Sequence, residues 1–203
     1  MPNYNGNKVT VGYAAVTRLT AGVTLPAATL NVEDTSLLPA SGSVTIGAQT
    51  VAYTGKTGTT LTGATGGTGA VAAGTDVIGA YTDITAYIND TGMEMSLDEG
   101  EATKQNSTWK EWVPGLAEGS VSFTVFHEDL LDFASQPQNI IESLMGKFAN
   151  WRIREQGAGS GKPERLWKGF VKSIKPNLAN DSSVVSSECE VRVTGAPTSA
   201  GQS

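Results

Sequence analysis

Residues 120–127 read SVSFTVFH, and this run decides the fold class. Val121, Phe123 and Val125 alternate with Ser122 and Thr124, which is the period of an antiparallel strand that has one face on a core and the other in water. The same alternation recurs in MEMSLDE (93–99) and SECEVRV (187–193), while NWRIRE (150–155) and RLWKGFVKSI (165–174) supply further strands. The second part of the chain is therefore predicted to be an antiparallel sheet.

One helix is predicted beside these strands. Ser135 and Gln138 have the spacing of a capping box, and Pro137 would occupy the first turn, where its missing N–H costs little. An apolar stripe follows at helical spacing, and a single amphipathic helix needs a sheet to cover. The expected architecture is mainly β, a sandwich or barrel with one flanking helix, and the stripe consists of Ile140, Ile141, Leu144, Met145 and Phe148.

Composition divides the chain near residue 80. Ala14 to Ala80 holds fifteen threonines, five charged residues and one aromatic residue, Tyr53, whereas all four tryptophans and all five phenylalanines follow. Short strand-like runs separated by glycine, proline and serine clusters predict a small all-β module for 14–80. We expect one domain from 1–13 and 81–197, with this module inserted, and a flexible C-terminal tail at 198–203.

The totals exclude several classes of function. The net charge of −6 argues against a protein that binds DNA by neutralising phosphates. One cysteine excludes a disulfide framework or a thiolate metal cluster within one chain. Val9 to Val16 lacks the features of a signal peptide, and no apolar run is long enough to span a bilayer, so synthesis in a cytoplasm and no membrane partner are expected.

No catalytic, metal or cofactor site is predicted. The sole histidine, His127, precedes Glu128 and Asp129, but consecutive residues of an extended chain point in alternating directions and converge poorly on one ion. Cys189 lies on the apolar face of a strand and is expected to be a buried structural thiol. The glycines of GATGGTGAVAAG (63–74) lack the lysine of a phosphate loop. We therefore expect a protein that is not an enzyme.

A polar stretch, EGEATKQNSTWKEWVPGLAEGS (99–120), separates two clear strands. Loops this long in a compact domain are usually functional or disordered. This stretch also contains Trp109 and Trp112, whose apolar rings are costly to leave in water. Either the two tryptophans pack back on their own domain, or they meet a partner.

The run 83–197 resembles the major tail tube proteins of siphophages, including the lambda type. DITAYINDTGMEMSLDEGEATKQNSTWKEWVPGLAEGSVSFTV (83–125) is similar to the opening block of the family, in which an acidic strand and a long polar loop precede a Ser/Thr-rich strand. LWKGFVKSIKPNLANDSSVVSSECEVRVTGAP (166–197) is similar to its closing pair, which ends here in Thr194, Gly195 and Pro197. The segment 14–80 departs from the simplest members.

The resemblance implies a structural virion protein, a subunit of a non-contractile tail tube. Its copies would form hexameric rings, stacked around a channel for genome delivery. The partners would be further copies of itself, a tape-measure protein in the lumen, and tail-tip and tail-terminator proteins. Double-stranded DNA would pass transiently without specific binding, because a lumen of carboxylates does not hold phosphates.

Two sets of residues are predicted to serve that assembly. An inter-ring loop, flexible in the monomer and ordered on stacking, would contain Gly100, Glu101, Lys104, Asn106, Trp109, Lys110, Glu111 and Trp112. The polar faces of the predicted strands offer candidates for the lumen wall, although an ordinary solvated surface explains each of them equally well. These candidates are Glu94, Asp98, Glu188 and Glu190.

Two other classes of function stay open at this point. The chain could be another tail component, such as a tail terminator or a minor tail protein. It could also be a carbohydrate-binding β-module that acts alone, although aromatic platforms for sugars are missing from the inserted module apart from Tyr53.

Overall fold

A computed structural model describes residues 9–101, 112–127, 136–177 and 185–202. It is mainly β with one α-helix among these residues, which confirms the expected fold class. The strands of the first half are β1 (Thr10–Arg18), β2 (Val23–Leu25), β3 (Thr29–Asn31), β4 (Gly42–Ile46), β5 (Gln49–Tyr53), β6 (Gly55–Lys56), β7 (Thr60–Thr62), β8 (Gly69–Val71), β9 (Asp76–Gly79) and β10 (Thr82–Asp83). After a 3-10 turn at Thr85–Tyr87 come β11 (Ile88–Glu101), β12 (Trp112–Phe126), helix α1 (Pro137–Ser143), β13 (Phe148–Arg154), β14 (Pro163–Asn177) and β15 (Ser186–Gly201).

One antiparallel sheet of ten strands organises the chain. Its order is β11-β12-β15-β14-β13-β1-β9-β4-β5, and β10 pairs with β1 beside β9. Two small sheets, β2-β8 and β3-β7-β6, lie outside this path. Among the described residues no pairing joins β11 to β1 or β10, so the sheet has β11 as an open edge.

The sheet curls around its main core. Phe123 on β12 and Trp151 on β13 are separated by two intervening strands, which in a flat sheet would place them roughly 14 Å apart. Their ring centroids are 5.7 Å apart, because the strands bend towards each other around the core. The alternation that predicted the strands sets this core, since buried side chains project inwards from successive strands: Val121, Phe123, Val125, Ala149, Trp151, Ile153, Val171, Cys189 and Val191.

Helix α1 covers this core but is shorter than predicted. Ile141 and Leu144 are buried as expected. The helix ends at Ser143, however, and Phe148 belongs to β13, with 43% of its surface exposed. Gly146, at a φ of 69°, turns the chain, and its N–H donates to the carbonyl of Val171, so sheet pairing overrides the helical pattern.

The predicted capping box stays a prediction, because the structure does not describe both of its residues. The N-cap is Gln136, with no hydrogen bond from its side chain to the helix backbone, and Pro137 occupies the first turn as predicted. Ser135 lies outside the described residues.

A second core fills the first third of the chain. It contains Leu19, Leu30, Val32, Val44, Ile46, Val51, Tyr53, Leu61 and Val77 among its buried residues. Strand β1 connects the two cores, because Thr10–Ala15 pairs with β13 whereas Val16–Arg18 pairs with β9. The predicted boundary at Ala14 thus falls inside a continuous strand, and the division into two domains stays a prediction.

Charged contacts also link the two cores. The Asp76 carboxylate on β9 accepts hydrogen bonds from Arg18 Nε at 3.0 Å and from Lys168 Nζ on β14 at 2.6 Å. Partial burial acts to raise the pKa of Asp76, but the hydrogen bonds and charges of Lys168 and Arg18 outweigh it and hold the pKa below its ordinary value. On the other side, Lys147 Nζ donates to Ser36 Oγ at 2.9 Å.

The C-terminal residues correct another expectation. The segment 198–203 was predicted to be a flexible tail, yet β15 continues to Gly201, where it pairs with Pro163 on β14. Gln202 is buried, and its side chain accepts from Gly159 N and donates to Gly157 O, both at 2.9 Å. Small polar residues give no strand pattern by themselves, so pairing with β14 fixes this conformation.

Two buried tryptophans provide a matched test of the core. Trp151 Nε1 donates to Gly169 O at 3.3 Å, whereas Trp167 Nε1 is buried with no acceptor among the described residues. We expect Trp151→Phe to lower the free energy of unfolding by about 1 kcal/mol more than Trp167→Phe, because only the first change removes a hydrogen bond. Urea unfolding followed by circular dichroism measures both. An equal loss in the two variants would contradict the assigned bond.

The register around β1 also predicts how the module can be removed. Gly12 pairs with Asp83 and Val16 with Ile78, so Ala15 lies beside the chain at residues 79 and 80. Replacing 16–79 with the dipeptide Asn-Gly, which favours a two-residue hairpin turn, should close β1 onto β10. The shortened protein should keep a cooperative thermal transition and its near-ultraviolet signal from the main core. Loss of both would show that the module is needed for folding.

Candidate assembly surface

Strands β11 and β12 form a long antiparallel hairpin at the edge of the sheet. Their pairing runs from Ile88 opposite Val125 to Glu101 opposite Trp112, with an irregularity between Leu97 and Glu99. The two strands carry six carboxylates and no lysine or arginine. The carboxylates belong to Asp90, Glu94, Asp98, Glu99, Glu101 and Glu118.

The apolar face of this hairpin continues beyond its own core. Met93 packs against the main core, and Met95 and Leu97 follow on the same side of β11 by the alternation of a strand. Met95 is 57% exposed and Leu97 50% exposed, and on β12 Leu116 is 80% exposed. Exposed apolar side chains that cluster on one projecting element are typical of an interaction surface.

The predicted inter-ring loop is shorter than its sequence suggested. Gly100, Glu101 and Trp112 belong to paired strands, because Gly100 lies opposite Val113 and Glu101 opposite Trp112. Both faces of these strand ends carry polar residues, so the sequence shows no alternation there that would predict a strand. The other predicted loop residues lie outside the described residues: Lys104, Asn106, Trp109, Lys110 and Glu111.

The four predicted lumen residues lie on two strands, β11 and β15, which flank β12 in the sheet. Glu94 lies opposite Ser120, and Glu190 opposite Ser122, so these two carboxylates share the face of β12 that points away from the core. Asp98 follows two alternations after Glu94 on β11, and Glu188 lies opposite Thr124. Glu94, Asp98 and Glu188 are exposed.

Glu190 differs from the other three because a cation neutralises it. Lys172 Nζ lies 2.9 Å from its carboxylate, and this hydrogen bond, with the charge of Lys172, lowers the pKa of Glu190. Glu188 lies opposite Lys175 in the register of β14 and β15. This part of the face therefore carries both signs of charge, whereas the neighbouring hairpin is purely acidic.

A groove that sequence reasoning missed lies where the module meets β13, β14 and β15. It encloses about 490 Å³ and is lined by Ile78, Tyr81, Asn150, Leu166, Lys168 and Thr194. The guanidinium carbon of Arg152 lies 4.2 Å from the centroid of the Tyr81 ring. These residues are distant in sequence, so only the pairing of β1 with β9 and β13 brings them together.

Lys168 in this groove and Arg152 beside it belong to two strands that are rich in cations. Strands β13 and β14 carry Arg152, Arg154, Arg165, Lys168, Lys172 and Lys175 against a single carboxylate, Glu164. Arg154 pairs with Glu164 at 3.1 Å, but no carboxylate of the described residues lies within 4.0 Å of Arg152. Burial, and then repulsion by Arg154, lower the pKa of Arg152 below its ordinary value. Arg152 is therefore a cation without an ion-pair partner among the described residues.

The residues considered for catalysis form no catalytic group in the described part of the chain. His127 Nε2 lies 2.7 Å from Ser187 Oγ, at the end of β12. No group of three metal-ligating side chains occurs in the ranges given above. Within the same ranges, no helix is long and apolar enough to cross a membrane.

Comparisons with known proteins give only distant likenesses. No family model matches the chain, and no curated protein matches it. The chain is similar to a protein in the virion of a native gene transfer agent particle, at 15% identity and a TM-score of 0.47, over 59% of this chain and 88% of that one. It is also similar to a protein in the tail of an empty gene transfer agent particle with C6 symmetry, at 16% identity and a TM-score of 0.46, over 59% and 86%.

A third solved structure is the sixfold-symmetrised baseplate of the anti-feeding prophage. Its matching chain is 12% identical, with a TM-score of 0.41, over 60% of this chain and 85% of that one. The structural neighbours are thus components of phage-like tail particles. Likenesses at TM-scores below 0.5 do not define the fold family of this chain.

Cys189 supplies a test of the core beneath this surface. Burial, and then the charge of Glu142, raise the pKa of its thiol to about 12. At pH 8 only about one thiol in ten thousand would be the reactive thiolate. We expect Ellman's reagent to react with Cys189 at a negligible rate in the native protein and rapidly in urea. Rapid reaction in the native state would contradict the packing of β15 against the core.

Proposed function

We propose that this chain is a structural subunit of a non-contractile phage tail tube. Its copies form hexameric rings that stack around a channel for genome delivery, and its place is the tail of the virion. The observation that carries this proposal is the open edge of the sheet at β11. Strand β11 is 14 residues long and, among the described residues, is bonded only to β12.

An open edge of this length favours pairing with another chain. The outer edge of β11 presents unpaired backbone N–H and C=O groups, which form a template for a further strand. Many β-proteins blunt such edges with lysine, proline or a very short strand. Strand β11 contains neither lysine nor proline. A copy of the same chain can complete the edge through a contact between two different surfaces. When each subunit repeats this contact with the same rotation, the subunits form a closed ring.

The charge of the hairpin suits the wall of a DNA channel. Glu94 and Asp98 lie on the exposed face of β11, in a hairpin that has no lysine or arginine in its strands. Carboxylates repel phosphates weakly, so DNA would move without specific binding. Glu188 and Glu190 suit this role less well, because Lys175 and Lys172 lie beside them.

The end of the hairpin is proposed to contact the next ring. Gly100, Glu101 and Trp112 form its paired base, and the apolar side chains of Met95 and Leu97 lie exposed before it. Burial of such side chains stabilises by roughly 1.5–3 kcal/mol each. Contacts with a tape-measure protein, tail-tip proteins and a terminator follow from the same proposed role, with no enzymatic activity.

The inserted module is proposed to lie on the outside of the tube. Its nearly uncharged, threonine-rich surface offers little repulsion to DNA, and β1 together with the Asp76–Lys168 ion pair fixes it to the main sheet. In that position it would stiffen the tube or contact neighbouring rings.

Negative-stain microscopy tests the proposal directly. Purified protein, incubated at increasing concentration with and without a tail-tip initiator, should form rings and then tubes with a regular axial repeat. Because assembly buries the hairpin, Leu97→Ser should raise the concentration needed for assembly, while Phe148→Ser, at a similarly exposed position on β13, serves as the matched control.

Other outcomes of this experiment separate the remaining classes. Closed single rings that do not stack would favour a tail terminator. A protein that stays monomeric at every concentration and binds glycans would contradict the tube and favour a carbohydrate-binding module.

A further inference from the structure

We propose that the groove beside Arg152 receives Met95, Leu97 and Glu99 of strand β11 from a second copy of this chain. The inference rests on the proposed function, since it names the surface that one subunit offers to the next. Two observations support it independently of the open edge. The first is the separation of charge between the hairpin and the middle of the sheet, and the second is the order of apolar and charged groups along the groove.

Charge is divided between two parts of one sheet. The hairpin strands carry six carboxylates and no cation, and one of these carboxylates, Glu118, is paired with Arg192. Strands β13 and β14 carry six cations and one carboxylate, and four of the cations are paired with carboxylates. A surface with this division is complementary to a copy of itself in a displaced, head-to-tail position. The contact joins unlike surfaces, which is the kind that builds rings and stacks rather than closed dimers.

Within the basic part, Arg152 is the cation beside the groove that has no ion-pair partner among the described residues. Lys168 is neutralised by Asp76, Lys172 by Glu190 and Arg154 by Glu164. Arg152 instead stacks on Tyr81 at the margin of the groove. A stacked guanidinium keeps its planar donors in a fixed position, so it is well prepared to bind a carboxylate from another chain.

The hairpin offers a matching sequence of groups on one side of β11. Met95 and Leu97 are apolar and exposed, and Glu99 follows them on the same side of the strand. The groove presents Ile78 and Leu166 as apolar walls, next to the Arg152 guanidinium. Two apolar side chains followed by a carboxylate thus correspond to an apolar groove that ends at a cation.

The competing occupant, a glycan, fits the groove less well. Sugar sites use an open aromatic face, and one face of the Tyr81 ring is covered by Arg152. Glycan binding is retained as an outcome of the test.

Charge reversal tests the pairing. Arg152→Glu and Glu99→Arg should each raise the concentration needed for assembly by at least about tenfold, because each places like charges in contact. The double variant, Arg152→Glu with Glu99→Arg, should restore assembly close to that of the wild type. Sedimentation velocity at low and high salt measures the change, and the difference between variants should shrink as salt rises.

The control is Lys175→Glu, which makes the same change of charge on β14 about 30 Å from the groove by the rise of a strand. It should assemble like the wild type. Thermal unfolding of each soluble variant identifies any loss of fold. Arg152→Lys, which keeps the positive charge but loses the planar stacked guanidinium, should weaken assembly less than Arg152→Glu does.

Cysteine cross-linking tests the contact without altering charge. Leu97→Cys and Leu166→Cys proteins, mixed and mildly oxidised, should give a disulfide-linked dimer that contains one chain of each, and Leu97→Cys mixed with Lys175→Cys should give none. Wild-type assembly together with normal assembly of Arg152→Glu would overturn the inference and leave the proposed function standing. Failure of the wild type to assemble would overturn the proposed function itself, and glycan binding abolished by Arg152→Glu would assign the groove to sugars instead.

Discussion

A β-sheet satisfies its backbone polar groups only through the strands on either side, and this constraint governs the whole molecule. Each strand from β12 to β1 has a neighbour on both sides, and beyond β1 the inserted module continues the sheet through β9, β4 and β5. Among the described residues, the sheet ends at β5 of the module on one side and at β11 on the other, and β11 is the longer of these two edge strands. Because unpaired backbone groups bond readily to another strand, this topology supports the proposed assembly at β11.

The curl of the sheet lets one core be built from strands that are distant in order. The contact between Phe123 and Trp151, at 5.7 Å, requires β12 and β13 to approach across the core, and helix α1 covers the space between them. The hairpin extends past this core, and its apolar side chains Met95, Leu97 and Leu116 are exposed.

Alternation in the sequence predicted the strands that have one face buried, because periodicity records burial. Val121, Phe123 and Val125 were assigned to the core face for this reason and are buried there. The same rule could not find the ends of the hairpin or the last residues of β15, where both faces are polar and pairing alone holds the strand. The apolar pattern also predicted a longer helix α1 than the structure has. The helix ends earlier because the hydrogen bond from Gly146 N to Val171 O competes with the helical pattern. The groove at Arg152 joins residues about 70 positions apart, such as Tyr81 and Arg152, and therefore leaves no local signal in the sequence.

Hydrogen–deuterium exchange on β11 tests whether a second chain pairs with the open edge of the sheet. Backbone amides of residues 88–101 that point away from β12 should exchange rapidly in dilute monomer and become strongly protected in the assembled protein, while the amides of β14 stay protected in both states. Pairing of β11 with a second chain would produce this change at the open edge of the sheet. Equal protection of the β11 amides in dilute and assembled protein would show that no second chain completes that edge, and would contradict the proposed assembly.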